Sequence, residues 1–368
     1  MNSSRFTIRL EDVAKEAGVS IATVSRALNG NPLISDSTRK RIVKIAEKIN
    51  YVPNPCFKAM GKSGPNSSVR SGYIGVLSPT ISLWSSSYSG RMLSSVESTV
   101  RKAGMNLAVC SLDAEKPDYM PAMVGDLKVD AMILNSVLDV KLISRIQKLV
   151  PCVSLNTYVP EDKVSIPSVL PDERSSIRKA LSYLRGLGHE RICYFDILET
   201  FQWHHATRTA AFKELAGKKS KMMVLQGRDM PMDDLASKTV SEWLSSDGLP
   251  SAILCASDYY AFSFLEAARR HGIRVPEEMS IIGIDDLEPC EYVRPRLTSI
   301  RQPLENMSEF CVRLLVDILK SKDGGTVSSS STHLFDVELI KRDSCAPPPC
   351  RIIRQQKTKE LPGSSKSS

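Results

Sequence analysis

Near the amino end, residues 9–30 read RLEDVAKEAGVSIATVSRALNG and crowd small polar and apolar side chains onto one short helical stretch. Arg26 offers a planar fork of donors that matches the paired O6 and N7 acceptors of guanine. Ser25 and Asn29 are compact hydrogen-bonding groups, and Ile21 and Ala22 can lie against a thymine methyl. The chemistry on offer is recognition of base edges in a DNA groove, not bond making or breaking.

Such side chains need a helix that stands out from its support. Leu10, Val13, Ala14 and Ala17 recur at helical spacing and predict a first helix with one buried face. Gly18 can adopt the left-handed turn that follows, and Ser20 is placed to cap the second helix. Val24, Ala27 and Leu28 then point inward, leaving Ile21, Ala22, Ser25, Arg26 and Asn29 outward. Two helices joined by a glycine turn, the second with an unoccupied polar face, are what a major-groove reader requires.

Charge favours this reading over an ordinary helical hairpin. Residues 1–70 hold twelve Lys and Arg (5, 9, 15, 26, 39, 40, 41, 44, 48, 58, 62, 70) and five acids (11, 12, 16, 36, 47), a balance of +7. The whole chain carries +8, so the other 298 of its 368 residues are almost neutral at +1. A basic amino-terminal module on a neutral body is the footprint of phosphate binding with counterion release.

Ser35 opens a third predicted helix, SDSTRKRIVKIAEKINY, with Ile42, Ile45, Ala46 and Ile49 on its apolar side and Arg39, Lys40, Lys44 and Lys48 opposite. Pro53 and Pro55 stop it, and Gly61, Gly64, Pro65 and several serines mark a linker. Only about five residues between Pro55 and Gly61 could be helical, too few to be stable alone; such a segment can fold when DNA is present.

Residues 8–60 resemble the headpiece and hinge of the lactose repressor/galactose repressor family of bacterial transcription factors, through DVAKEAGVS, ATVSRALNG, STRKRI and NYVPN. The resemblance implies that the second helix enters the major groove. It also implies that hinge helices of two subunits pair in the minor groove, Met60 standing where the family inserts a leucine wedge. The hinge departs from the family pattern at Pro55, Phe57 and Gly61. The DNA-facing set so assigned is Ser20, Ile21, Ala22, Thr23, Ser25, Arg26, Asn29, Tyr51 and Met60.

Beyond residue 70 the pattern changes. GYIGVL, LAVCSL, DAMILN, PCVSLN, RICYFD, SAILCAS and MSIIGIDD are short apolar or β-branched runs. Between them lie amphipathic stretches such as GRMLSSVESTVRKAG, ERSSIRKALSYLRGLGH and ASKTVSEWLSSD. Strand–helix alternation with strands apolar on both sides predicts doubly wound parallel sheets, and about 275 residues is long for one such sheet. The expected fold class is therefore an all-α helix-turn-helix headpiece followed by a two-lobed α/β core. The resemblance implies the same: a core like the periplasmic sugar-binding proteins, with three crossovers and a ligand cleft between the lobes. We expect a headpiece at 1–53, a hinge at 54–70, a core at 71–345 and a disordered tail at 346–368. Crossovers near 169–171, 297–299 and 326–331 divide the core into an N-lobe (71–169 and 299–326) and a C-lobe (171–297 and 331–345).

Ligands of open α/β sheets sit beyond the carboxyl ends of strands. Asp285 and Asp286 end IIGIDD, Asn156 ends PCVSLN, and Ser257 and Asp258 end ILCASD. By resemblance, Asp285 receives hydroxyls of a sugar effector. Asp286 is expected to be a helix cap or lobe contact instead. Arg208, in HATRTAAF, matches an Arg-x-x-Gly-Phe motif with Ala211 in the glycine's place, and its guanidinium suits polyols or carboxylates. Ser257 stands where the family usually has asparagine. Tyr88 and Trp84 fall between the first strand and first helix of the body, where the family places ring-stacking aromatics, although core packing serves an aromatic as well. The assigned effector set is Tyr88, Asn156, Arg208, Ser257 and Asp285.

Other chemistries fail on inspection. Nine cysteines (56, 110, 152, 193, 255, 290, 311, 345, 350) are scattered without a C-x-x-C pair, as small core residues of a reducing compartment are; Cys56 in the hinge is the one placed for redox sensing. His204 and His205 are adjacent and cannot share a helical face as metal ligands do. No G-x-S-x-G, P-loop or dinucleotide-binding glycine pattern occurs, so neither an enzyme nor a cofactor or metal is expected. MNSSRF lacks the apolar core of a signal peptide, and no run of about eighteen apolar residues occurs. The tail has no leucine heptad. A cytoplasmic, nucleoid-associated homodimer that binds near-palindromic double-stranded DNA and a small effector, with no membrane partner, is the expectation. A sugar-binding or sugar-processing protein with merely structural amino-terminal helices is the alternative. Salt-sensitive retention on heparin or nonspecific DNA separates the two.

Overall fold

Three short helices open the described chain because three apolar stripes can cover one another. In the computed structural model the described residues are 10–28, 31–49, 51, 71–79, 87–112, 120–126, 128–160, 162, 164–198, 203–226, 229–246, 248–321 and 331–349. The hinge at 54–70 with Cys56 and Met60, Asn29, Trp84, and the tail from Cys350 lie outside them.

Helices α1 (Leu10–Ala17), α2 (Ile21–Leu28) and α3 (Asp36–Lys48) enclose Val13, Ala14, Ala17, Val24, Ala27, Ile42 and Ala46. Burying each of the larger aliphatic side chains contributes about 1.5–3 kcal/mol. Gly18 takes φ +62°, and the Val19 amide donates back to the Ala14 carbonyl at 3.1 Å, closing α1 with a left-handed cap. Ser20 Oγ accepts from the Thr23 amide at 3.1 Å, and Ser35 Oγ from the Thr38 amide at 3.3 Å. Leu28, Ile45 and Ile49 are half-buried on the rim of this core. One expectation fails: Arg39 is not on the solvated face of α3. Its guanidinium turns back to the Asn31 and Ile34 carbonyls at 3.1 and 3.4 Å and to Asp36, tying down the turn before the helix.

The body forms two compact units. The first contains strands β1 (Tyr73–Ser78), β2 (Asn106–Ser111), β3 (Ala131–Asn135), β4 (Cys152–Leu155), β5 (Ser168–Pro171) and, from near the carboxyl end, β11 (Thr332–Phe335). They make an all-parallel sheet in the order β11-β5-β4-β3-β1-β2. Alternate residues supply two cores. Ile74, Val76, Ile133 and Val153 pack with Met92, Val96 and Val100 of α4 (Ser87–Lys102) and with Met307, Cys311 and Leu315 of the late helix Leu304–Lys320. Leu77, Met132 and Leu134 pack with Val124 of α5 (Ala122–Gly125) and with Leu142, Ile143 and Ile146 of α6 (Val140–Ile146). Both faces are thus covered, as apolar strands without alternation demand.

The second unit contains α7 (Glu173–Gly186), β6 (Ile192–Leu198), α8 (Trp203–Leu215, in this unit from His205 on), β7 (Lys221–Gln226) and α9 (Met232–Ser245). After these come β8 (Ala252–Cys255), α10 (Asp258–Arg270), β9 (Ser280–Ile284), β10 (Thr298–Arg301) and β12 (Glu338–Ile340). The helix Leu304–Lys320 of the first unit is α11. Sheet order is β12-β10-β9-β8-β6-β7, parallel except for the antiparallel edge strand β12, which the sequence reading did not anticipate. Phe264 anchors this core, edge-on to Phe195 at 4.8 Å between ring centroids and stacked on Trp243 at 5.8 Å.

The chain divides between units after Asp172, Arg301 and Val337, later each time than expected. In each case a strand completes its ladder first: β5 beside β4, β10 beside β9, and β11 beside β5. The expected division at 326–331 therefore moves past β11. The first residue of the expected tail, Ala346, is bonded to the second unit. Ala346 accepts from His189 Nε2 at 2.8 Å and donates its amide to Ser280 Oγ at 3.0 Å, fastening the segment to β9.

Candidate functional site

Two sets of side chains fit a functional role, one on the headpiece and one at strand ends. On the headpiece, Val24 and Ala27 are the buried residues of α2 and Leu28 packs on the rim of the core, which leaves Ile21, Ala22 and Arg26 facing outward. Ile21 is 47% exposed, and Ala22 and Arg26 are exposed beside it. Ser25 and Thr23 are half-buried; Thr23 Oγ1 shares a hydrogen bond with Ser20 Oγ at 2.8 Å, so this pair completes the cap. Tyr51 leans on the three-helix core, its amide donating to the Ala46 carbonyl at 2.8 Å, and that partial burial pushes its hydroxyl up. Lys15, Lys40, Arg41, Lys44 and Lys48 are exposed around the module, Lys48 with Glu16 at 3.6 Å.

The strand-end residues fall into two groups. In the first unit, Tyr88 lies inside the first turn of α4 rather than in the loop before it. Its hydroxyl donates to Gln302 Oε1 at 2.6 Å and lies 3.4 Å from Asn156 Oδ1. Asn156 follows β4 at φ +61°, a left-handed conformation that asparagine tolerates better than most residues. Its amide reaches Met92 Sδ at 3.2 Å and Asn135 Oδ1 at 3.4 Å.

In the second unit Arg208, Ser257 and Asp285 do come together. Arg208 lies on α8 and is only 1% exposed. Its Nε and one terminal nitrogen donate to the two oxygens of Glu173 at 2.6 and 2.9 Å. The other terminal nitrogen donates to the Ala256 carbonyl at 2.5 Å, while the one bound to Glu173 also makes a longer contact of 3.4 Å to Asp285. Ser257 Oγ donates to Asp285 Oδ2 at 3.1 Å while also capping α10. Asp285 has φ +117°, a backbone region costing of order 1–3 kcal/mol for a non-glycine residue. Its amide donates to the Ile300 carbonyl at 2.8 Å, which holds that conformation on β10.

Electrostatics follow the packing. Burial raises the Glu173 and Asp285 carboxyls, and Arg208 works against that rise at both. Arg208 itself stays charged, because its carboxylate neighbours outweigh its loss of water. Burial, helped by nearby Asp285, pushes the Asp258 carboxyl up to about 8. Asp258 is structural: it accepts from Ser299 Oγ at 2.7 Å and the Leu287 amide at 2.8 Å. A Cβ at Gly283 would come within 2.0 Å of its Oδ1, so glycine is required there.

Asp286 does not cap a helix. It is an ion-pair centre inside the second unit, with Arg301 and Arg342 each at 2.7 Å. His205 is buried against Asp196, which also accepts from Tyr194 and Thr209 at 2.8 and 2.9 Å. The cysteines at 152, 193, 255, 290 and 311 are buried, and burial raises their thiols. Among the described residues, no helix is long and apolar enough to cross a membrane and no His, Cys, Asp and Glu group could hold a metal ion.

The sequence reading missed Glu173, Gln302 and Asn135. Glu173 follows β5, a strand that the reading did not include, and so passed for one more charge on an amphipathic helix. Asn135 was visible as the end of DAMILN, a strand end like the others.

Two family profiles match the chain: bacterial regulatory proteins of the lacI family over residues 9–54, and the periplasmic binding protein-like domain over 181–345. The probable HTH-type transcriptional repressor ExuR of Bacillus subtilis is 28% identical over 92% of this chain and 98% of its own length. The HTH-type transcriptional repressor CytR of Escherichia coli K12 is 29% identical over 91% and 95%. The Lac repressor dimer, solved with operator and the anti-inducer ONPF, superposes with a TM-score of 0.72 at 22% identity over 92% of this chain and 99% of that one, and so shares its fold. The headpiece, the parallel-sheet body and these relatives agree: the chain carries a lacI-family regulatory domain and a periplasmic binding protein-like domain, and is a DNA-binding transcriptional regulator rather than an enzyme.

Proposed function

We propose that this regulator is a repressor that binds a near-palindromic operator as a homodimer in the bacterial cytoplasm, at the nucleoid, and that a sugar or sugar derivative sets its affinity. Residues 1–53 read DNA, 54–70 join the two subunits' hinges, and 71–345 hold the effector and the dimer contact. The observation that carries this reading is the outward face of α2, where Ile21, Ala22 and Arg26 stand exposed on a basic module. Arg26 reads guanine, and Ile21 and Ala22 meet a thymine methyl. Ser20, Thr23, Ser25, Asn29 and Tyr51 contact the surrounding backbone and bases, and Met60 of each subunit opens the central step.

The effector is held at strand ends, by Tyr88 and Asn156 in the first unit and by Asp285, Ser257 and Arg208 in the second. Asp285 accepts from hydroxyls, and Arg208 and Ser257 fix its position. An effector alters operator affinity only through different affinities for the DNA-competent and DNA-incompetent states, and the coupling is reciprocal.

The test begins with selection of bound sequences from a random duplex library by the full chain. A two-fold symmetric site, bound with a steep salt dependence, is expected. An asymmetric site saturated by one subunit would overturn the dimeric reading. Titration of the selected complex with neutral sugars then tests the effector: a change in operator affinity that Asp285→Asn abolishes is expected. A response that survives this substitution places the effector elsewhere.

A further inference from the structure

The body begins at a fastening that its sheet does not need. Ser71 and Gly72 are the first described residues after the hinge segment 54–70, and they precede β1. Along its length β1 is already paired on both sides, with β2 from Tyr73↔Asn106 onward and with β3 from Ile74↔Ala131 onward. Asp130, just before β3, nevertheless directs both carboxylate oxygens upstream of that ladder. Its Oδ1 accepts from the Ser71 amide at 2.6 Å and the Ser71 hydroxyl at 2.9 Å, and its Oδ2 accepts from the Gly72 amide at 2.8 Å. Hydrogen bonds to a carboxylate are roughly twice as strong as neutral ones. The Ser71 hydroxyl oxygen accepts in turn from the Tyr73 amide at 3.2 Å. From the other side, the Gly72 carbonyl accepts from the amide and the side chain of Asn106 at 2.8 and 3.3 Å. Gly72 takes φ +77°, where glycine bends the chain without strain.

We infer that Asp130 is a positioning residue for operator recognition: it fixes the point and direction in which the hinge leaves the first unit, so that the body sets the half-site spacing. The inference rests on the dimeric reading above and deepens it. Fully extended, the seventeen residues 54–70 could span roughly 56–61 Å, whereas half-sites one helical turn apart are separated by about 34–36 Å. The length of the segment alone therefore selects no spacing. Two headpieces tethered from defined roots do select one, because the effective concentration of the second headpiece peaks where the tether matches the span. Asp130 supplies the defined root, and it does so from a strand that touches no DNA-reading residue in sequence.

The test uses the full chain as wild type, D130A, D130N and S71A, each checked for folding by chemical denaturation. The half-site selected from the random library is rebuilt as inverted repeats whose centres are one or two base pairs closer or farther apart than selected, and as a single half-site duplex. Wild type is expected to bind the selected spacing at least about tenfold more tightly than spacings two base pairs away. D130A is expected to flatten that preference to under about threefold by losing affinity at the selected spacing, with single half-site affinity unchanged. D130N, which keeps one acceptor oxygen, is expected to fall between, and S71A to show the smallest loss. If D130A does not fold, D130N carries the test. A peaked profile that the folded Asp130 variants retain would overturn the inference and leave the dimeric reading standing. A loss shared in full by the single half-site duplex would also overturn it, since the damage would then lie in the headpiece. A flat wild-type profile would overturn both the inference and the dimeric reading beneath it.

Discussion

Arg26 and Arg208 show two uses of one side chain. Arg26 sits on an eight-residue helix whose only buried residues are Val24 and Ala27, and its guanidinium is left in water. Arg208 sits on a thirteen-residue helix against a sheet and is packed to 1% exposure among two carboxylates and a carbonyl. Nothing in the three-helix module packs over Arg26, whereas Arg39 of the same module is drawn back onto the Asn31 and Ile34 carbonyls. A doubly covered sheet can enclose a long charged side chain, provided that it supplies a counter-charge. Exposure, not residue type, separates the two arginines.

The largest effect is expected at the buried pair. Arg208→Ala leaves Glu173 buried without its partner and is expected to cost about 3–5 kcal/mol in chemical denaturation. A loss under about 1 kcal/mol would erase the contrast with Arg26. Next comes Gly283→Ala, whose new methyl must displace Asp258; about 1–3 kcal/mol of destabilisation is expected by the same measurement. Arg26→Ala is expected to leave the denaturation midpoint within about 0.5 kcal/mol, as an exposed substitution does. It is expected instead to cost about 1–3 kcal/mol of operator binding at one base pair of each half-site. If the variant binds every sequence more weakly with unchanged base preference, Arg26 contacts phosphate only. Ser35→Ala, which removes the α3 cap, is expected to cost about 0.5–2 kcal/mol within the headpiece alone.

A pH series sharpens the comparison further, because the headpiece has no buried carboxylate among its described residues and the second unit has several. Asp258 titrates near 4 when unfolded and holds its proton up to about 8 in the fold. Between those values the folded form binds more protons. The contribution to stability is therefore full below about 4, declines as pH rises and is gone above about 8. The unfolding free energy of Asp258→Asn is expected to lack that decline; an unchanged slope would assign it to another group.

The headpiece was almost wholly legible in sequence because its structure is local. Helical spacing, a glycine turn and two serine caps act within a few residues of one another, and the predicted buried face is the one observed. Arg39 was misread because its acceptors, the Asn31 and Ile34 carbonyls, belong to a turn whose course the spacing does not reveal. In the body, the seven apolar runs read as strands all became strands. The strands missed, β5, β7, β10, β11 and β12, are short, polar at alternate positions, or at an edge, and they exist because a neighbouring ladder pairs with them.

The sequence by itself determined the apolar faces of the headpiece helices, the outward face of α2, and the strand ends on which Asn156, Ser257 and Asp285 stand. Those are consequences of periodicity and punctuation, which act over short distances along the chain. Only the tertiary structure decided that Arg208 belongs to Glu173, thirty-five residues away, before it belongs to any ligand. Charge state and availability depend on what lies within a few ångströms in space, and no spacing rule carries that information.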